Sequence, residues 1–228
     1  MKPANIIKPG LFEAETDVRR WEFDFKNEII VTNQSSVDVL FIGDSITHLW
    51  ELNAYFHHYG LVLNRGIRGD RANFLSLRFA GDAIQLKPRV CVIMIGINNT
   101  WYMNETNDMK NTAEETFKLV SNSYVEILEA AKQHRMQIIF CSILPIKGDN
   151  IQQKELIVRI NTHLQALCVK YGCPYVDYYS FMVAEDGLTL QDGLSPDGVH
   201  PHVIGYNKMA KIVEPVIAKM LTESPKKK

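Results

Sequence analysis

Five short, nearly continuous apolar runs alternate with longer segments of helical periodicity, and this alternation constrains the fold more than any other feature of the chain. Short runs rich in Val, Ile and Leu are typical of parallel strands that helices cover on both faces. The runs are "VDVLFIG" (37–43), "LVLNRG" (61–66), "RVCVIMIG" (89–96), "QIIFCSILP" (137–145) and "PYVDYY" (174–179). We therefore expect an α/β fold, a three-layer αβα sandwich around a five-stranded parallel sheet with the flavodoxin-like order 2-1-3-4-5.

The chain is long and apolar enough to bury one large core. With 228 residues and a hydrophobic fraction of 46%, we expect a single domain over 1–228. Residues 1–36 are expected to form an N-terminal extension with a helix, and residues 223–228 a frayed tail. A final helix is expected over 203–221, with a kink or a later start at Pro215. The first helix is predicted from apolar residues that recur at helical spacing: Val18, Trp21, Phe25 and Ile29.

Charge and composition exclude several classes of protein. The formal net charge of −1 indicates no basic surface for nucleic acid or an anionic membrane, so neither is expected as a partner. No apolar run is long enough for a signal peptide or a membrane span. The four cysteines lack zinc-site spacing, and His48, His57 and His58 form no metal-ligand pattern. We expect a cytoplasmic protein that needs no metal or other cofactor. Export by an unusual route and a homodimer are retained as alternatives.

Polar stretches containing glycine follow the predicted strands at their carboxyl ends. Strand 1 ends in Gly43-Asp44-Ser45, strand 2 in "NRGIRGDRA" and strand 3 in "GINNT", while "DGLSPDGVHPH" follows strand 5. Parallel strands bring these ends to one edge of the sheet, where ligands bind beside strand 1. The stretches supply a hydroxyl, backbone amides, a carboxamide and an Asp-His pair, which are the groups that acyl transfer requires.

A serine directly after a strand has two interpretations. Ser45 either caps the following helix or acts as a nucleophile, which needs a base to accept its proton. Asp197 precedes His200 by three residues, a spacing that lets one turn aim the carboxylate at Nδ1 and leave Nε2 for Ser45. Taken alone, this pair also suits an ordinary surface turn. Because the imidazole must be neutral to act as a base, we expect activity to fall in acid.

Three groups are candidate donors to an oxyanion. Gly69 lets the chain present an amide without crowding by a Cβ atom, and Asp70 is expected to cap the next helix. Asn98 can offer its side-chain amide to the same oxygen, and the amide of Ser45 is a third donor. Singly, Gly69 suits a left-handed turn and Asn98 an Asx turn. Their joint occurrence on one predicted edge favours an oxyanion hole.

These motifs resemble the SGNH, or GDSL, hydrolase family of esterases and lipases over nearly the whole chain. "FIGDSIT" resembles the nucleophile block, "NRGIRGD" the glycine block, "IGINN" the asparagine block and "SPDGVHP" the Asp-His block. The resemblance implies that Ser45, Asp197 and His200 are catalytic and that Ser45, Gly69 and Asn98 form the oxyanion hole. The glycine block and "KPRVCVIMIGINNT" look closest to the platelet-activating-factor acetylhydrolase-like branch.

One departure from the family pattern lies beside the asparagine block. Many members carry Gly-x-Asn-Asp, whereas this chain has Gly96-Ile97-Asn98-Asn99, so Asn99 cannot supply the carboxylate that often braces nearby loops. The acetylhydrolase-like branch also carries Asn-Asn at this point. Candidate substrate contacts around the motifs are Asp44, Arg68, Asn99, Trp101, Tyr102 and Val199.

The function implied by the resemblance is hydrolysis of short-chain acyl esters, in particular acetyl esters, through an acyl-enzyme. The chain has no long insertion that would form a lid or an acyl tunnel, so the expected partner is a small ester such as an acetylated sugar. Two alternatives remain. One is a lysophospholipase- or thioesterase-type acylhydrolase, and the other is a non-catalytic flavodoxin-like binding module.

Overall fold

The computed structural model of the protein describes residues 7–8, 14–101 and 112–223. Within this part of the chain, five parallel strands form one sheet in the order β2-β1-β3-β4-β5. This order and the helices on both faces confirm the predicted α/β sandwich. The strands are β1 (Val39–Gly43), β2 (Val62–Gly66), β3 (Val90–Met94), β4 (Ile138–Cys141) and β5 (Tyr175–Val176).

Strand β1 lies between β2 and β3, so the loops that follow these three strands begin next to one another. Gly43, its last residue, lies opposite Gly66 of β2 on one side and Met94 of β3 on the other. All residues of β1 and β3 are buried, as expected for strands covered on both faces. The stretches after β1, β2 and β3 therefore begin side by side at the same edge of the sheet.

The helices begin and end where local signals predict. A capping box between Thr112 and Glu115 opens α6, and the left-handed residue Gly172 ends α7. The last helix already begins at Val203 and continues past Pro215, so the alternative of a later start was wrong. The helices are α1 (Ala14–Thr32), α2 (Ser45–Leu49), α3 (Leu52–Phe56), α4 (Ala72–Asp82), α5 (Ile97–Trp101), α6 (Ala113–Gln133), α7 (Ile151–Tyr171), α8 (Tyr178–Met182) and α9 (Val203–Glu223).

Helix α1 does not bury its apolar stripe. The four residues that predicted the helix are each more than half exposed: Val18, Trp21, Phe25 and Ile29. The buried face instead carries Arg20, Phe23 and Asn27. This face packs against α4. Arg20 and Asn27 of α1 donate to the carboxylate of Asp82 of α4, at 2.6 and 2.8 Å. Asp82 therefore determines which face of α1 packs on α4, because its buried carboxylate needs hydrogen-bond donors.

One hydrophobic core includes side chains from the central strands and from helices on both faces of the sheet. No helix among the described residues is both long and apolar enough to cross a lipid bilayer. The predicted frayed tail falls almost entirely on residues 224–228, which lie outside the described residues. The single domain over 1–228 stays a prediction.

Candidate active site

Ser45 lies where the central strand turns into a short helix. Asp44 is the N-cap residue of α2, and its Oδ1 accepts the amide of Ile46 at 3.0 Å. The cap belongs to Asp44, which leaves the hydroxyl of Ser45 free for another contact. That contact is the Nε2 atom of His200, 2.8 Å from Ser45 Oγ across 155 positions of sequence.

A single turn orients His200 through Asp197. The Nδ1 atom of His200 lies 2.7 Å from Oδ2 of Asp197, while Oδ1 accepts the amides of Val199 at 2.9 Å and His200 at 2.8 Å. An Nδ1–H that donates to the carboxylate leaves Nε2 as an acceptor for the hydroxyl of Ser45. Ser45, His200 and Asp197 therefore form a continuous hydrogen-bonded chain.

Ser195 is a member of this turn that the sequence reasoning missed. Its hydroxyl donates to Asp197 Oδ1 at 3.0 Å and accepts the amide of Gly198 at 2.9 Å. The signal was present in "SPDG", because a serine two residues before an aspartate can close such a turn through its hydroxyl. Ser195 thus helps to fix the direction of the Asp197 carboxylate.

The pKa of Asp197 is lowered well below its usual range. Partial burial opposes ionisation, but donors from the His200 ring, the amides of His200 and Val199 and the Ser195 hydroxyl outweigh it. The carboxylate is therefore charged at neutral pH. A charged carboxylate can stabilise the imidazolium that forms when His200 accepts a proton.

Gly69 and Asn98 meet beside the turn that carries Ser45. Gly69 has φ +75°, and a Cβ atom built there would meet no atom of the described part of the chain within 4 Å. The glycine is required by the backbone conformation and not, as predicted, by crowding. The side chain of Asn98 donates one hydrogen from Nδ2 to the carbonyl of Asp70 at 2.9 Å, and within the described ranges no acceptor contacts the second hydrogen. Among the described residues, no acceptor contacts the amides of Ser45 or Gly69.

The chain is similar to known proteins over the residues that form this site. The sequence model of the GDSL-like lipase/acylhydrolase family matches residues 41–208, which include every residue of the site. The protein belongs to the GDSL-like lipase/acylhydrolase family. This assignment confirms the resemblance that the motifs indicated, and it makes the protein an ester-hydrolysing enzyme.

Relatives of this acylhydrolase include animal and bacterial proteins. It is 27% identical to platelet-activating factor acetylhydrolase IB subunit alpha2 from Homo sapiens over 92% of this chain and 88% of the relative. An acetylxylan esterase from Xylanibacter ruminicola is 25% identical over 60% of this chain and 30% of its own. The crystal structure of a GDSL-like lipase from Bacteroides thetaiotaomicron superposes with a TM-score of 0.71, 26% identity, and coverage of 88% and 98%.

Asn99 of the acylhydrolase braces the start of helix α4. It is buried, and its Oδ1 accepts the amide of Ala72 at 2.9 Å while its Nδ2 donates to Asn73 at 3.2 Å. The amide oxygen thus does what the family's carboxylate was expected to do. At the start of α4, Asp70 Oδ1 accepts the amide of the N-cap residue Arg71 at 3.0 Å, while Asp70 Oδ2 accepts from Arg78. The cap at Asp70 was wrong, because the N-cap residue of α4 is Arg71. A substrate contact at Asn99 stays a prediction.

Asp44 is likewise buried. Its side chain accepts the amide of Ile46, and a substrate contact at Asp44 stays a prediction. Burial raises its pKa to about 7, and the Ile46 amide and Arg78 only partly offset that effect. The group therefore belongs to the bend that presents Ser45.

The other candidate contacts differ in accessibility. Arg68 is exposed next to Gly69, and Val199 is partly exposed next to His200. Trp101 packs against the hydrophobic core at the end of α5, and Tyr102 lies outside the described residues. Over the described ranges, no group of three or more His, Cys, Asp or Glu side chains is placed to bind a metal ion.

Proposed function

We propose that this acylhydrolase cleaves short-chain acyl esters, in particular acetyl esters, through an acyl-enzyme formed on Ser45. The observation that carries the proposal is the hydrogen-bonded chain from Ser45 Oγ to His200 Nε2 at 2.8 Å and from His200 Nδ1 to Asp197 at 2.7 Å. A serine hydroxyl is a weak nucleophile unless a positioned base removes its proton, and this chain supplies the base and its orienting carboxylate.

In the first step, Ser45 Oγ attacks the ester carbonyl while His200 Nε2 accepts the hydroxyl proton. The negative charge that develops on the carbonyl oxygen is stabilised by the amides of Ser45 and Gly69 and by the second hydrogen of Asn98 Nδ2. One such donor contributes about 3–4 kcal/mol to transition-state stabilisation. The imidazolium of His200 is held by the ionised Asp197 and then protonates the leaving alcohol.

In the second step, the acyl group is transferred from Ser45 to water. His200 is neutral again after the alcohol departs, so it can accept a proton from the attacking water. The same three donors stabilise the second tetrahedral intermediate, and the proton returns to Ser45 Oγ when the acid is released. The cycle uses only side chains and amides of the chain itself.

The preference for a short acyl group rests on the surroundings of the site and on its relatives. Ser45 faces an edge with polar neighbours, including the exposed Arg68 and Asp197. An apolar groove of about 740 Å³ lies at the other end of the sheet, lined by residues such as Ile138 and Pro174 near the starts of β4 and β5. It cannot receive an acyl chain attached to Ser45. The names of two relatives, an acetylhydrolase subunit and an acetylxylan esterase, also denote acetyl esters.

The proposal is tested by hydrolysis of aryl esters of graded acyl length and of acetylated sugars. We expect turnover to be fastest with acetyl and to fall with chain length, and Ser45→Ala to lose at least about 1,000-fold in kcat while remaining folded. Ser121→Ala on helix α6 is the matched control and should retain wild-type kcat. A folded Ser45→Ala variant with wild-type turnover would overturn the mechanism. A maximum at long acyl chains or thioesters would instead favour the lysophospholipase or thioesterase alternative.

The proposed location is the cytoplasm. Cys91, Cys141 and Cys168 are buried free thiols, and burial raises the pKa of Cys141 to about 12. Protonated, buried thiols are compatible with a reducing compartment. Cell fractionation with an antibody against the protein tests the location directly.

A further inference from the structure

We propose that Arg78 is a positioning residue for the oxyanion hole. Its guanidinium joins the strand end that presents Ser45 to the loop that presents Gly69, although it touches neither residue. The inference rests on the proposed function and concerns the same site. Nothing in the four sequence motifs includes Arg78, which lies on helix α4.

The guanidinium contacts backbone and side-chain oxygens from two different segments. Nη2 donates to the carbonyl of Gly43 at 3.1 Å and to the carbonyl of Arg65 at 3.0 Å. Nε and Nη2 both donate to Oδ2 of Asp70, at 2.8 and 2.6 Å. Gly43 is two residues before Ser45, and Asp70 directly follows Gly69. One rigid group therefore sets the distance between the two segments.

Asn98, the third proposed oxyanion donor, is connected to Arg78 through Asp70. The backbone carbonyl of Asp70 accepts the side chain of Asn98 at 2.9 Å, while the carboxylate of Asp70 accepts from Arg78. The Gly43 carbonyl also accepts the amide of Ile67, which lies in the same loop as Gly69. Ser45 and Gly69 are thus each within two residues of a group bound to Arg78, and Asn98 is hydrogen-bonded to the backbone of one such group.

The burial of this group indicates a geometric role. Arg78 and Asp70 are each 1% exposed, and the second carboxylate partner, Asp82, is fully buried. A buried ion pair contributes little net stability compared with apolar residues of the same volume, because both charges must be desolvated. What an arginine adds is a planar set of donors that binds several acceptors in a fixed arrangement. A lysine ammonium keeps the charge but cannot span Gly43, Arg65 and Asp70 in that geometry.

The test compares Arg78→Lys with Arg20→Met. Arg20 is also 1% exposed and also donates to Asp82, at 2.6 Å, but contacts neither Gly43 nor Asp70. We expect Arg78→Lys to lower kcat by about 10- to 100-fold with KM within about threefold, because misplaced donors weaken transition-state binding. Arg20→Met should lose stability in urea unfolding and keep kcat within about twofold. The rate of Ser45 labelling by a fluorophosphonate should follow kcat in both variants.

The labelling rate makes the readout independent of the substrate. A folded Arg78→Lys with unchanged kcat and labelling rate overturns the inference, and so does an equal loss of kcat in Arg20→Met. If Arg78→Lys does not fold, the variant Asp70→Asn decides. It leaves Arg78 in place, weakens the contact of Arg78 with the glycine loop, and keeps an oxygen that can accept the amide of Arg71. It should lower kcat by about tenfold, and an unchanged kcat overturns the inference. Failure of the proposed function is recognised separately, by an inactive wild type or an active Ser45→Ala.

Discussion

At the scale of single residues, Asp44 has the most unusual chemistry near the nucleophile. Burial raises the pKa of this carboxyl from 3.8 to about 7. In the unfolded chain the group ionises near pH 4, so between about pH 4 and pH 7 the folded state binds a proton that the unfolded state has released. The free energy of unfolding of the wild type therefore falls as the pH rises from about 4 to about 7.

Asp44→Asn should remove this pH dependence and keep the oxygen that accepts the Ile46 amide. We expect its free energy of unfolding, relative to wild type, to rise by up to about 4 kcal/mol between pH 4 and pH 8. Asp186→Asn is a control whose effect has the opposite sign and lies at lower pH, because hydrogen bonds, first of all from Thr189, lower the pKa of Asp186 to about 2. Relative to wild type, its free energy of unfolding should change between about pH 2 and pH 4 and stay constant between about pH 4 and pH 8. Urea unfolding at a series of pH values measures both. A pH-independent difference for Asp44→Asn would contradict the prediction.

The neighbours Asn98 and Asn99 should separate activity from stability. Asn98→Ala removes a proposed oxyanion donor, so kcat should fall by about 100- to 1,000-fold with little loss of stability. Asn99→Ala removes the acceptor for the Ala72 amide and should lower the free energy of unfolding by about 1–2 kcal/mol. Steady-state kinetics and urea unfolding of the two variants test this contrast. A larger loss of turnover in Asn99→Ala would show that the roles are reversed.

At the scale of elements, Gly66 at the end of β2 and Gly69 in the loop that follows are required for different reasons. A Cβ atom on Gly66, at the end of β2, would lie 2.2 Å from the backbone nitrogen of His48 in α2. Gly69 has space for a Cβ atom but has φ +75°. Gly66 therefore permits an element to pack closely, and Gly69 permits a turn.

Alanine at these positions should have unequal effects. Gly66→Ala must displace the backbone of α2, so we expect its free energy of unfolding to fall by about 2–3 kcal/mol. Gly69→Ala should lose only about 1 kcal/mol, because the cost is that of a left-handed alanine, but it should lose turnover as the amide reorients. Denaturant unfolding with parallel kinetics tests both. Equal losses of stability would contradict the assignment of crowding to Gly66.

The orientation of α1 is tested by two phenylalanines on opposite faces. Phe23 is buried beneath the guanidinium groups of Arg19 and Arg65, whereas Phe25 is half exposed. Phe23→Ala should lower the free energy of unfolding by about 3–5 kcal/mol, and Phe25→Ala by less than about 0.5 kcal/mol. Thermal and urea unfolding measure the difference. A larger loss of stability in Phe25→Ala than in Phe23→Ala would mean that the apolar stripe of α1, and not the face with Phe23, packs against the rest of the protein.

At the scale of the whole molecule, the site depends on segments from distant parts of the chain. Ser45 follows the first strand, and His200 follows the last, yet their side chains are in contact. If residues 1–228 form a single domain, unfolding should be one cooperative transition. The urea midpoints from tryptophan fluorescence, far-UV circular dichroism and fluorophosphonate labelling of Ser45 should then coincide. Separate midpoints would indicate independent units.

The predictable part of the fold follows from periodicity. Each apolar run became a strand that begins within two residues of its predicted start, because strands covered on both faces need continuous apolar sequence. The ends were predicted less well, since β4 ends four residues and β5 three residues before the predicted position. The motif residues could also be assigned, since parallel strands bring their ends together. Helix α1 shows where this reasoning stops: its spacing predicted a helix, but the apolar stripe faces solvent. Periodicity describes the helix alone and contains no information about Asp82, its partner on α4.

The amino-acid sequence by itself determined the order of strands and helices, the family, and the residue types at the edge where the strands end. These depend on local periodicity and on short motifs, which are contained within one segment of chain. Only the tertiary structure decided that Asp44 and Asn99 are buried supports and that Arg78 links two loops. The physical reason is that burial and hydrogen bonding are set by partners distant in sequence, and a single position does not specify its partners.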